Sequence, residues 1–101
     1  MDTVTERVAR GVALLDERNP GWWRTDAPVA AYIEPEILDI GSCGRCVLAQ
    51  LYGSYFLGSR SLGLTGVVSR AERGFARTDG PSFADLTTEW KRVITGRRAA
   101  A

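Results

Sequence analysis

Apolar residues in the first stretch of the chain recur at helical spacing: Val4, Val8, Val12 and Leu15 share one stripe, and Glu6, Arg7, Arg10 and Glu17 lie on other faces. Thr3-Val4-Thr5-Glu6 has the form of a capping box, so the pattern predicts a helix that starts there and ends at Asn19-Pro20-Gly21. Gly11 sits inside it, at a cost of about 1 kcal/mol relative to alanine unless another backbone approaches closely at that point.

The periodicity then lapses. Residues 25 to 41 read as an irregular connection in which Pro28 and Pro35 limit any regular element, and Tyr32, Ile33, Ile37, Leu38 and Ile40 fit a short strand or a helical turn equally well. From Cys46 to Leu57 the residues Val47, Leu48, Leu51, Tyr52, Tyr55 and Phe56 cover most of a helical wheel, which predicts a central, deeply buried helix. Gly53 would let a neighbouring helix come close, and Gly58 would stop this one. A turn through Leu62-Gly63-Leu64 leads to a short helix at 67–73 closed by Gly74, with Phe75 folding back as an anchor. Ser82 and Asp85 form a second capping box, followed by an apolar face of Phe83, Leu86, Trp90, Val93 and Ile94. The fold class expected is mainly α: one compact domain over 1–96, about four helices around one core, an irregular tryptophan-bearing loop after the first, and a basic and alanine tail at 97–101 that frays.

Composition narrows the functions. A chain of 101 residues with 45% hydrophobic and 25% charged residues is the size and make-up of one globular unit. Thirteen basic against twelve acidic residues leave +1, so any attraction to nucleic acid or membrane must come from a local patch. The amino terminus carries Asp2, Glu6, Arg7 and Arg10 in place of the apolar core of a secretory signal, and no apolar run approaches the ~20 residues needed to span a bilayer. A cytoplasmic protein with reduced thiols and no membrane association is expected.

The chain has no histidine, which removes the commonest general base and zinc ligand and excludes serine–histidine and cysteine–histidine nucleophilic sites. Cys43-Gly44-Arg45-Cys46 is a lone C-x-x-C, open to three readings: ordinary thiols, a redox pair at a helix start, or half of a metal site. Zinc needs four ligands, so it would require a dimer sharing Cys43 and Cys46; no other cofactor is expected. Glu34 with Glu36 or Asp39 could pair as carboxylates, but in a proline-containing loop they read as solvated. Gly58, Gly63 and Gly66 lack the spacing of a phosphate-binding loop.

Trp22-Trp23-Arg24 is the other candidate. Two adjacent rings cannot both enter the core from one regular element, so one should plug the core and the other lie nearer the surface, and the sequence does not say which. With Tyr52, Tyr55, Arg24 and Arg45 they supply the aromatic and cationic groups enriched at binding hot spots. Residues 59 to 101 hold eight basic and four acidic side chains, and the helices between Val47 and Gly74 could form a helix-turn-helix presenting Ser69, Arg70 and Arg73, with Arg77 beyond, to DNA.

Pro20-Gly21-Trp22, Cys46-Val47-Leu48-Ala49-Gln50-Leu51-Tyr52-Gly53, Gly74-Phe75 and Leu86 through Trp90 resemble, in order and spacing, a group of small uncharacterised proteins of actinobacteria and their phages. The likeness spans Leu14-Leu15-Asp16 to Ile94. It implies no catalytic residue; in that pattern only the cysteine matching Cys46 recurs, and Ala49 stands where glycine is common. It also implies an accessory role. The expectation is a small non-enzymatic binding protein that contacts a protein partner or itself, with a sponge for a small anionic, nucleotide-like ligand and a DNA-binding regulator as alternatives.

Overall fold

The Thr3 side chain accepts from the Glu6 amide at 3.1 Å and Glu6 Oε1 accepts from the Thr3 amide at 3.0 Å, so the first helix starts where the capping box places it. In the computed structural model, which describes residues 2–25 and 32–101, this helix is α1, Val4–Arg18. Val8, Val12 and Leu15 are buried along it, as their spacing requires. Four further helices follow: α2 (Val47–Tyr52), α3 (Tyr55–Ser61), α4 (Val67–Ala71) and α5 (Phe83–Ala100).

The fold is mainly α, as expected, with five helices among the described residues in place of about four. The stretch from Cys46 to Leu57 is two helices, because Gly53 adopts a φ of +92° and caps α2, and the Ser54 side chain accepts from the Leu57 amide at 3.0 Å and starts α3. The two glycines exchange the roles expected of them. Gly53 is the stop, and Gly58 is the close approach: a β-carbon at Gly58 would lie 2.7 Å from Leu48 Cβ, which is how tightly α3 folds back on α2.

α5 runs alongside α1 in the same direction, since Gly11 faces Trp90 and Asp16 pairs with Arg97 further along both helices. Gly11 meets a close backbone: a β-carbon there would stand 2.1 Å from the Arg73 carbonyl oxygen and 2.9 Å from Trp90 Cζ2. Trp90 is the hub of the core. Its ring stacks on Phe75 at 5.2 Å, meets Trp22 edge-on at 5.8 Å, and donates from Nε1 to the Gly74 carbonyl at 2.8 Å. Such aromatic pairs add about 0.5–1.5 kcal/mol each beyond the area they bury. Gly74, at φ +74°, turns the chain after α4 so that Phe75 enters this cluster, with the Phe75 amide returning to the Arg70 carbonyl at 3.0 Å.

One open alternative closes and one expectation changes. Residues 34–38 form a turn, in which the Ile37 amide reaches the Glu34 carbonyl and the Leu38 amide the Pro35 carbonyl, and there is no strand among the described residues; Pro28 lies outside them. The basic tail is helical through Ala100, because Arg97 and Arg98 are both tied to the body of the protein and hold the last turns in place. No helix among the described residues is long and apolar enough to cross a membrane.

Candidate functional site

The tryptophan pair divides as its adjacency demands. Trp22 is the core ring, 1% exposed, and its Nε1 donates to Asp16 Oδ1 at 2.9 Å; it cannot serve as the contact residue expected of it. Trp23 is half-buried, with the Arg24 guanidinium 5.6 Å from its ring centre. Trp23, Arg24, Thr25 and Arg98 line a recess of about 200 Å³, but Arg98 already donates from Nε to the Trp23 carbonyl at 2.8 Å and from Nη2 to the Ile33 carbonyl at 2.6 Å.

The cysteines also differ in exposure. Cys46 is buried and caps α2, its Sγ accepting from the Ala49 amide at 3.4 Å, and burial pushes its thiol above the ordinary value. A redox nucleophile needs the opposite shift. Cys43 is exposed and unbonded to Cys46. Arg45, between them, is exposed, and its carbonyl accepts from the Asp39 amide and from Gln50 Nε2.

The basic residues proposed for a groove are largely engaged by their own chain. α4 has only five residues, Arg73 donates to the Ser69 carbonyl at 3.0 Å and its hydroxyl at 3.2 Å, and Arg77 Nε donates to the Pro81 carbonyl at 3.1 Å. Arg70 lies over the Tyr55 ring at 5.0 Å, and its Nε is buried with no acceptor among the described residues. Tyr52 packs at the edge of the core beside Gly58.

Tyr55 is where several candidates converge. With Cys43, Val67, Phe75, Arg77 and Phe83 it lines a pocket of about 210 Å³ between the 40–43 turn and the starts of α3, α4 and α5. Burial pushes the Tyr55 phenol up, against the opposing pull of Arg70. Phe56 packs edge-on against Tyr55 at 5.5 Å and is itself 71% exposed, the most exposed large apolar side chain among those described. Leu57, Val67, Val68 and Phe83 are exposed as well. Of these exposed residues Val67 and Phe83 line the pocket, Phe56 adjoins it through Tyr55, and Arg77 lines it as well, with Arg70 over the Tyr55 ring.

Phe56 and Phe83 correct the sequence reading, which set both on core-facing helix faces, and Leu57, Val67 and Val68 are not singled out by it; for α3 the reason is that an unbroken helix from Cys46 to Leu57 would bury its apolar residues all round. The signal was present in Gly53-Ser54, a stop residue followed by a capping residue: a helix restarting at Tyr55 sets Phe56 and Leu57 on a new face with nothing to cover it. No protein-family model, curated protein or solved structure matches the chain.

Proposed function

We propose that this is a non-catalytic accessory protein that works by protein–protein contact through the apolar surface of α3 and α4. The observation that supports it most is the exposure of Phe56, Leu57, Val67, Val68 and Phe83 on the three helices whose starts line one pocket, because exposed apolar surface gathered on neighbouring elements marks interaction sites on small domains. Tyr55 and Arg70 add the residue types that dominate binding hot spots. The pocket is also of a size to receive one large side chain from a partner.

A photo-crosslinking amino acid at position 56, in cells that make the protein, should give adducts with a discrete protein species, and the same group at Glu17 on the exposed side of α1 should not. Equal and diffuse labelling from both positions would reject the reading.

A second reading, capture of a small anion, draws support from the Trp23, Arg24 and Arg98 recess, where a ring and two guanidinium groups meet. Calorimetry with nucleoside mono- and diphosphates checks it, and loss of the signal in Trp23→Ala would assign it to that recess.

A further inference from the structure

The seven large hydrophobic side chains exposed among the described residues fall in two places. Five belong to the surface just described; the other two, Tyr32 and Ile37, flank the turn that carries Glu34 and Glu36. The surroundings of the two places differ in charge. Beside the pocket stand Arg70 and Arg77, neither ion-paired among the described residues. At the turn, Glu34 and Glu36 are exposed and likewise unpaired there.

The acidic turn is held rigidly. Gln50 on α2 grips Glu34 from both sides, its Oε1 accepting from the Glu34 amide at 2.6 Å and its Nε2 donating to the Glu34 carbonyl, while Nε2 also reaches the Arg45 carbonyl at 3.0 Å. Little ordering is then needed when the turn docks. Only two residues, Leu38 and Asp39, separate Ile37 from Ile40, which lines the pocket, so the acidic turn and the pocket that Arg77 lines adjoin.

From this complementarity we infer that the occupant of the apolar surface is a second copy of this chain, docked through its Tyr32–Ile37 turn. The inference rests on the protein-contact reading above and names its partner. A two-fold axis places each turn on the other copy's pocket, so the contact is made twice and the assembly closes as a dimer without growing into a filament. Ile37 and Tyr32 supply apolar side chains for the pocket and the Phe56 surface. Glu34 and Glu36 bring carboxylates to the guanidinium groups of Arg70, which is half-buried, and Arg77, which is exposed.

Sedimentation velocity over a range of concentrations tests this with three proteins. The wild type should sediment as a dimer whose dissociation constant rises with salt. E34R/E36R makes both patches basic, and R77E sets an acidic group at the pocket; each alone should raise the dimer Kd by about tenfold or more, with the thermal midpoint of the monomer checking that it folds. An equimolar mixture of the two should recover the dimer, because one reversed turn then faces one reversed pocket and the remaining contact is wild type. A wild type that stays monomeric, a dimer indifferent to both reversals, or a mixture that fails to recover would each overturn the inference. A monomeric wild type that still crosslinks from position 56 to a different protein would remove this inference and leave the protein-contact reading standing; a monomer with no discrete adduct would remove both.

Discussion

Asp16 holds Trp22 and Arg97 at once: its Oδ1 accepts from the Trp22 indole at 2.9 Å, and both carboxylate oxygens accept from the Arg97 guanidinium at 2.6 and 2.9 Å. One side chain on α1 thus fixes the core tryptophan and the end of α5. Asp16→Ala should leave the buried indole N–H without an acceptor and cost about 1–3 kcal/mol. Asp16→Asn keeps an acceptor oxygen for Trp22 and loses the charge and the Oδ2 acceptor offered to Arg97, in a pair that is over a third exposed, so its cost should be about 1 kcal/mol or less. Urea unfolding followed by tryptophan fluorescence separates the two.

The same residue predicts a pH dependence. Hydrogen bonding to Arg97, first, and to Trp22 holds the Asp16 carboxyl below its ordinary value of 3.8, against a smaller opposing effect of burial. A group depressed in the folded state contributes stability above its unfolded pKa, and that contribution is lost as pH falls through the folded value. Unfolding curves taken from neutral pH down past 3.8 should therefore show a shallower acid limb for Asp16→Asn than for the wild type.

Gly11→Ala should destabilise the protein by about 2 kcal/mol or more even though alanine favours a helix by about 1 kcal/mol, because its methyl group would enter the Arg73 carbonyl. Gly96 is the control. It is also inside a helix but has open space around its α-carbon, so Gly96→Ala should stabilise by about 0.5–1 kcal/mol. Thermal midpoints that moved the same way for both would contradict the packing described.

How far the sequence carried the fold depends on whether the signal was local. Thr3 and Glu6 were legible because a capping box acts over three residues, whereas at Gly11 the sequence left a weakened helix or a close backbone, and the fold supplies the Arg73 carbonyl. The split at Gly53 was not, since the apolar run on both sides of it outweighed one glycine in the periodicity. Arg97 and Arg98 read as a loose tail because their partners, Asp16, Trp23 and Ile33, lie 65 or more positions away. The candidate site followed the same rule: Tyr55, Arg70 and Arg77 were singled out by type, and the exposure of Phe56 and Val68 depends on which helices pack together.

The two thiols should differ sharply in reactivity. Cys43 is exposed, whereas Cys46 is 2% exposed with its thiol pushed up by burial. Iodoacetamide labelling read by intact mass should add one group quickly to native protein, and a second only at the rate of global unfolding. Fast double labelling would place Cys46 nearer the surface.

Trp22→Ala should cost about 3–5 kcal/mol, and Trp23→Ala markedly less, because only the first empties a closed site. Chemical denaturation of the two variants, side by side, checks the assignment of the rings.

Trp22 and Trp90 touch across 68 positions of sequence, and this sets the timing of events during synthesis. α1 is made before the helix that covers it, which follows roughly 3 to 14 s later at ~5–20 residues per second. Through that interval Val8, Val12 and Leu15 have no α5 to lie against, and the indole of Trp22 has no Trp90. The nascent chain is most open to aggregation, or to being held by a chaperone, in that window and not in the finished fold.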